Sequence, residues 1–222
     1  MKEGNAEKMN LKEVHRLLGW QKHSTMGKYE DILSLEPLTE FEQGELTQIA
    51  RDFERYLNAD KVSEGLIKAL TTFPLLRLAG FYRVPVELKL EEAIACIEVE
   101  DEETIITGRF DILAINPNQI PDEQVFWMLI IEAKNSSIEL RAGLSQLLVY
   151  TYSSLKFQSE TWGMLTNGIN YQFVHCQSGT YPLYQLFPPL HLFEGDRAVQ
   201  ILQSLKAICQ LQKPLTNAIL AS

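Results

Sequence analysis

The feature that most constrains the fold is the segment FWMLIIEAK, residues 126–134, in which six apolar residues run without interruption into Glu132, Ala133 and Lys134. An unbroken apolar run of this kind is typical of a strand that is buried on both faces of a sheet. The predicted strand ends with a carboxylate and an ammonium group two residues apart. Two charges at the end of so apolar a strand are the first indication of a functional site.

Apolar periodicity and turn signals predict the other elements. They are a helix over 38–57, a second helix capped by Asp60 and ending near Pro74, strands over 84–90, 93–100 and 104–116, a loop over 117–124, a helix over 137–155 beginning with a Ser136–Glu139 capping box, a hairpin turning at Asn167-Gly168, and a helix over 197–211. This order predicts one α/β domain over 37–222, in which helices flank a mixed β-sheet. Residues 1–36 are predicted to form a polar extension with a short helix.

Composition narrows the class of protein. The longest apolar run is far shorter than the ~20 residues that span a bilayer, and the N-terminus has no apolar signal region, so we expect a cytoplasmic protein with no membrane partner. Three cysteines without a CxxC pair indicate reduced thiols. The net charge of −9 argues against binding of nucleic acid by bulk electrostatics. It leaves room for a local basic groove or for an acidic site that recruits cations.

The candidate site begins with Glu132 and Lys134, whose side chains project from the same face of a strand. On the preceding predicted strand, Asp111 interrupts an apolar stretch. If these two strands are antiparallel neighbours, Asp111 and Glu132 lie side by side, and a hard divalent cation relieves their repulsion. The Ala133 carbonyl oxygen and waters complete a shell suited to Mg²⁺ or Mn²⁺. Such an ion activates water and neutralises a phosphodiester oxygen, with Lys134 orienting the water or stabilising the transition state.

Simpler interpretations of the same residues stay open. A carboxylate and a lysine at the end of a strand are often only solvated charges. Gln146 and Tyr150, four residues apart on the 137–155 helix, share a face that is either an exposed polar stripe or a wall of the site. They lie nearly opposite the apolar stripe of that helix. They are therefore expected to reach the site only if the stripe packs on another helix, for which 197–211 is the candidate.

Together, the segments GRFD, IIEAK and QLLVY resemble the PD-(D/E)XK nuclease superfamily. The glutamine and tyrosine resemble the nuclease domain of type I restriction enzyme R subunits. The stretch over about 38–210 resembles small cyanobacterial proteins of that kind. It includes SEGLIKALTTFPLLRLAGFY and GMLTNGINYQF. The resemblance implies a restriction-endonuclease-like core and a Mg²⁺-dependent endonuclease of restriction type that cuts DNA. Phe110 stands where the superfamily's name has proline.

The resemblance also implies roles for single residues. Asp111, Glu132 and the Ala133 carbonyl become metal ligands, with Glu64 as a further ligand in some members. Lys134 becomes the catalytic lysine. Gln146 and Tyr150 become the pair that positions substrate and active-site groups. A homodimer, or a helicase or methylase partner subunit, fits such a protein.

Two rival hypotheses accompany the nuclease. The chain has no G-x-x-x-x-G-K-[ST] phosphate loop and so no ATP-driven motor of its own. Together with the acidic net charge, this motivates a catalytically inactive nuclease-fold module that serves in binding or assembly. The second rival is an unrelated α/β domain in which the carboxylates of Asp111 and Glu132 never meet. The four histidines are scattered along the chain and indicate no metal ligand set.

Overall fold

The computed structural model describes residues 2–94, 97–99, 104–117 and 126–211. The α-helices are α1 (Leu11–Leu18), α2 (Glu40–Leu57), α3 (Glu64–Ile67), α4 (Phe73–Ala79), α5 (Leu144–Ser154) and α6 (Gly195–Gln210). The strands are β1 (Lys2–Asn5), β2 (Gln21–Lys22), β3 (Glu87–Leu90), β4 (Ile97–Val99), β5 (Thr104–Thr107), β6 (Ile112–Asn116), β7 (Phe126–Ala133), β8 (Glu160–Thr166), β9 (Asn170–Gln177), β10 (Leu183–Leu186) and β11 (Leu190–His191). The protein is therefore mixed α/β, as the sequence predicts.

One large mixed sheet organises the molecule, in the order β2-β10-β9-β8-β7-β6-β3 with β11 paired to β9. The apolar strand β7 lies inside it, antiparallel to β6 and parallel to β8. The predicted antiparallel pairing of the strands before and after the 117–124 loop is thereby confirmed. The loop itself lies almost wholly outside the described residues. The hairpin of β8 and β9 is also confirmed, and Gly168 at its turn adopts the left-handed conformation.

Helices cover both faces of this sheet and enclose two apolar cores. The first core contains buried residues of α2, α4 and α6 against one face, and the second contains residues of α1 and α5 against the other. Alternation along β7 divides its side chains between them, with Ile131 in the first core and Ile130 in the second. An unbroken apolar sequence is required here because neither face of β7 is open to water.

The prediction for the second helix is wrong at both ends. Ser63, not Asp60, caps α3, and its side chain accepts a hydrogen bond from the backbone N–H of Leu66. The helix does not end near Pro74. It passes through one π-helical turn, Lys68–Thr72, and continues as α4 with the proline in its first turn. Proline is tolerated there because the wider π-helical turn leaves its missing N–H without a required partner.

The single strand predicted over 104–116 is divided in two. β5 belongs to a small sheet of order β1-β5-β4, whereas β6 belongs to the large sheet. The chain turns between them at Gly108, where a Cβ atom would lie 2.8 Å from the Tyr150 ring. No side chain fits so close an approach, so the glycine sets the position of the break. Asp111 falls at the start of β6 rather than in the middle of a long strand.

The start of the 137–155 helix also differs from prediction. Ser136 accepts a hydrogen bond from Val62 N–H instead of capping the helix. A 3₁₀ turn over Leu140–Gly143 leads into α5. The capping box with Glu139 is therefore absent, because the Ser136 hydroxyl is engaged by the segment before α3. The predicted helices over 38–57 and 197–211 are confirmed as α2 and α6.

The first 36 residues pack against the rest of the chain. β1 pairs with β5, β2 pairs with β10, and Val14, Leu18 and Trp20 are buried in the second core. The boundary near residue 36 stays a prediction. Among the described residues, no helix combines the length and apolarity needed to cross a bilayer.

Candidate functional site

A cleft of about 510 Å³ opens where β6 begins and β7 ends, between α3 and α5. Asp111, Glu132, Lys134 and Gln146 line it, together with Glu64. Five of the residues singled out from the sequence are thus brought to one place by strands and helices far apart in the chain. Five of its eleven lining residues are acidic and two are basic, a clustering of ionisable groups that is typical of functional sites.

Asp111 is held by the end of the neighbouring strand. Its Oδ2 accepts a hydrogen bond from the Ala133 N–H at 2.8 Å, and its Oδ1 accepts one from Lys68 at 3.2 Å. The N–H of Lys134 bonds instead to Thr166 on the other side of β7. Since the N–H and C=O of one strand residue point to the same side, the Ala133 carbonyl is directed toward Asp111. The backbone therefore presents an oxygen beside this carboxylate.

Glu132 is the most deeply buried charge of the cleft, with 1% of its surface exposed. Its Oε1 accepts a hydrogen bond from the Lys134 ammonium group, whereas its Oε2 has no hydrogen-bond partner in the described part of the chain. Burial, together with repulsion from Asp111, raises the pKa of Glu132 to about 8 despite the attraction of Lys134. A buried carboxylate oxygen without a partner is costly, and a bound cation is the usual remedy.

Lys134 connects Glu132 on β7 with Gln146 on α5. Its ammonium group also donates to the Gln146 side-chain oxygen at 3.2 Å. Burial lowers the pKa of Lys134, but the carboxylates of Glu132 and Asp111 outweigh burial, so the pKa is raised and the group stays charged. Gly143 permits this arrangement, because a Cβ atom there would lie 2.9 Å from the Glu132 side chain.

Gln146 lines the cleft and Tyr150 is buried behind it, and the two form one hydrogen-bonded chain. The Gln146 amide donates to the Tyr150 hydroxyl at 2.8 Å, and that hydroxyl donates to the Arg109 carbonyl at 2.6 Å. This hydrogen-bonded chain holds the Lys134 side chain at one end and the backbone of the segment before Asp111 at the other. Burial raises the pKa of Tyr150 well above its ordinary value, so the hydroxyl keeps its proton.

The sequence predicted that Gln146 and Tyr150 reach the site only if the apolar stripe of α5 packs on another helix instead of on the sheet. This prediction is wrong. Leu144, Leu147 and Leu148 pack in the core between α5 and the sheet, and Gln146 and Tyr150 are buried as well. α5 is enclosed on nearly every side, so its flank reaches the cleft while its apolar stripe faces the sheet. An exposed polar stripe is excluded for these two residues.

Replacing Tyr150 with phenylalanine is expected to lower the free energy of unfolding by about 1–3 kcal/mol, because it leaves the Gln146 amide and the Arg109 carbonyl without their shared partner. Chemical denaturation measures the change. Tyr82→Phe is the control, since Tyr82 is 54% exposed. Equal stabilities for the two variants would show that the buried hydroxyl is not needed to hold the chain together.

Three charged residues that line the cleft, Glu7, Glu91 and Arg109, were not predicted from the sequence, nor was Lys68, which contacts its carboxylates. The Lys68 ammonium group donates to Glu64 at 3.4 Å, to Glu91 at 3.1 Å and to Asp111 at 3.2 Å. Burial lowers the pKa of Lys68, but the surrounding carboxylates outweigh burial and raise it. The spacing of Glu64 and Lys68, four residues apart on a helix, was the one available signal.

Glu64, which the resemblance gives as a further metal ligand, also lies in the cleft. Burial raises the pKa of Glu64, and repulsion from Asp111 raises it further. Arg109 is exposed at the rim and two residues before Asp111. The histidines lie elsewhere. His15 contacts Tyr184, and His175 contacts Glu160.

The donor set fits a hard divalent ion. Asp111, the open Oε2 of Glu132 and the Ala133 carbonyl supply oxygen ligands of the kind that Mg²⁺ takes, usually with one or two carboxylates and several waters. Across the described ranges, no three His, Cys, Asp or Glu side chains are arranged as a metal-holding group. A magnesium-type site does not require one, because waters and substrate complete its shell. Comparisons with protein-family models and with curated protein sequences find no match to this chain.

Proposed function

We propose that this protein is a metal-dependent nuclease with a restriction-endonuclease-like core, which hydrolyses phosphodiester bonds in DNA. The observation that carries the proposal is the buried Glu132 beside Asp111: its Oε1 is bound by Lys134, and its Oε2 has no partner among the residues that the structure describes. A carboxylate pair next to an immobilised ammonium group is suited to a reaction in which negative charge grows on a phosphate. An ordinary solvated strand end does not bury its carboxylate to this degree.

Asp111, Glu132 and the Ala133 carbonyl would hold the ion, Mg²⁺ or Mn²⁺. When bound, it would supply Lewis-acid stabilisation of the phosphate and lower the pKa of a water molecule. Glu64 is a further acidic residue within the same cleft. No histidine or cysteine belongs to the set, which favours a hard ion over zinc.

The chain's own groups supply the rest of the chemistry. Lys134 places a positive charge in the cleft, where it orients the attacking water or stabilises the charge that develops on the phosphate. Gln146 holds the Lys134 ammonium group, and Tyr150 holds Gln146. Arg109 at the rim offers a guanidinium group to a neighbouring phosphate of the substrate. Together with a bound divalent ion, these local cations would give an acidic protein a way to bind DNA at this cleft.

A catalytically inactive module is the second candidate. The ammonium groups of Lys68 and Lys134 already pair with the carboxylates of the cleft, which favours a site that is stable without an ion. Such a module would act in an assembly with a helicase or methylase subunit. Isolation of a stable complex of this kind from the native cell, without metal-dependent cleavage by any assembly, would support it. A homodimer is proposed only for the active nuclease.

Calorimetric titration with Mn²⁺ tests the proposal. We expect saturable binding to the wild type and loss of binding in the double variant Asp111→Asn, Glu132→Gln, which keeps the shape of both side chains. The control is Glu45→Gln, Glu54→Gln, which removes the same charge from exposed positions of α2. Equal binding to wild type and site variant would place any ion elsewhere and overturn the proposal. Binding by neither would favour the inactive module.

A further inference from the structure

Lys68 contacts three carboxylates, whereas one carboxylate neutralises the charge of one lysine. Its ammonium nitrogen is 3.4 Å from Glu64, 3.1 Å from Glu91 and 3.2 Å from Asp111, and only 9% of the residue is exposed. These three acids come from α3, from the segment after β3 and from the start of β6. They converge on one point, and a cation occupies that point.

The backbone around Lys68 supports a functional placement. Lys68 opens the π-helical turn that joins α3 to α4. Such turns are uncommon, cost hydrogen-bond geometry and occur frequently at functional sites. The helix residues beside it, Ile67 and Thr71, are buried in the protein interior. Leu66 and Ala69 of the same stretch are exposed, so Lys68 lies at the edge of the buried face, and its ammonium group contacts the Asp111 carboxylate that lines the cleft.

The charges of the cleft suggest how many metal ions it takes. Glu64, Glu91, Asp111 and Glu132 contribute four negative charges when ionised, while Lys68 and Lys134 contribute two positive ones. Arg109 and Glu7 at the rim cancel each other. With Glu132 deprotonated, as metal ligation requires, the remaining charge of minus two is neutralised by one divalent ion. In the described part of the chain, Glu132 Oε2 has no hydrogen-bond partner, whereas Asp111 Oδ1 already contacts the Lys68 ammonium group.

We propose that the Lys68 ammonium group replaces a second divalent ion, so that the site binds one metal ion between Asp111 and Glu132. The inference rests on the proposed function and specifies the stoichiometry of the same site. Two-metal phosphodiesterases place their ions about 3.5–4 Å apart and share a carboxylate between them. Asp111 is shared in that way between the proposed ion and the Lys68 ammonium group. Lys68 is a positioning residue in this arrangement, because it orients the metal ligand rather than the substrate.

The test counts bound Mn²⁺ by calorimetry and by electron paramagnetic resonance, without reference to cleavage. We expect one ion per chain in the wild type and in Lys68→Arg, which keeps the charge. Lys68→Met keeps the length but removes the charge, and is expected to bind two ions with a spin-coupled spectrum. Lys61→Met, an exposed lysine before α3, is the matched control and is expected to bind one.

Each outcome decides the inference. Two ions in the wild type, or one ion per chain in Lys68→Met whatever its affinity, would overturn it while leaving the nuclease proposal intact. No ion in either protein would overturn both. If Lys68→Met does not fold, Lys68→Met with Glu91→Gln removes one carboxylate together with the ammonium group. This double variant is expected to bind a second ion between Glu64 and Asp111. Binding of only one ion per chain would contradict the inference.

Discussion

Replacing Lys134 with methionine is expected to slow metal-dependent cleavage of DNA on the order of 10²–10³-fold, while the protein still folds and still binds a divalent ion. Methionine preserves the length of the side chain but removes the ammonium group that contacts Glu132 and Gln146. Loss of one preorganised charge at a reacting phosphate lowers the rate on the order of 10²–10³-fold. Ion binding is expected to persist, because removing a nearby positive charge does not weaken attraction for a cation.

The measurement is cleavage of supercoiled plasmid and of single-stranded DNA with Mg²⁺ or Mn²⁺, beside calorimetry of Mn²⁺ binding. Glu132→Gln is expected to lose both cleavage and ion binding, whereas Lys134→Met is expected to slow cleavage only. The control is Lys89→Met, a strand lysine outside the cleft that pairs with Glu87. Wild-type cleavage by Lys134→Met would remove the lysine from the catalytic machinery.

The central geometry of the site was predictable because it depends on short-range rules. Side chains two residues apart share a face of a strand, and two strands joined by one loop pair antiparallel more often than not. These rules place Asp111 beside the end of β7, where its carboxylate bonds to the Ala133 N–H. The apolar sequence of β7 likewise predicts its burial, since the side chains on both faces of the strand are apolar along that run.

The rest depends on contacts between distant parts of the chain. Glu91 lies 23 residues beyond Lys68, and Asp111 lies 43 residues beyond it, so no local pattern indicates that they meet. The π-helical turn that directs Lys68 has no sequence signature, and Pro74 suggests a helix end that the wider turn makes unnecessary. The break at Gly108 is set by the Tyr150 ring on α5, which no periodicity within 104–116 encodes.

The burial of α5 is likewise not predicted by local sequence patterns. Helical periodicity identifies one apolar stripe and therefore suggests one buried face. α5 is covered by the sheet, by α1 and by the segment before it, so its polar flank is buried too. Gln146 and Tyr150 satisfy each other and thereby make that burial possible. A sequence does not distinguish a polar pair that faces solvent from one that completes its own hydrogen bonds.

Glu132→Gln is expected to remove a pH dependence from the stability of the protein. The pKa of Glu132 is raised from 4.5 to about 8, first by burial and then by repulsion from Asp111. Between these values the folded protein keeps a proton that the unfolded chain has lost. The contribution is therefore complete below pH 4.5 and is lost as the pH rises through 8, which amounts to up to about 5 kcal/mol. Glutamine does not titrate, so the variant lacks this slope.

Urea denaturation of wild type and variant between about pH 5 and 9 measures the difference between their free energies of unfolding. Glu139→Gln is the control, because Glu139 is exposed and only seven residues away. A wild-type stability that falls toward pH 9 no more steeply than that of Glu132→Gln would contradict the burial of an ionisable carboxyl group at this position.

A saturating divalent ion is expected to weaken this pH dependence in the wild type alone. The ion binds the carboxylate and competes with the proton, so its stabilisation grows as the pH rises, reaching about 2.7 kcal/mol when the free ion is at 100 times its dissociation constant. Glu132→Gln lacks the ligand and is expected to show no such gain. The same residue that destabilises the metal-free protein at high pH then becomes the group through which metal stabilises it. Equal stabilisation of both proteins by Mn²⁺ would separate the buried carboxyl group from the metal site.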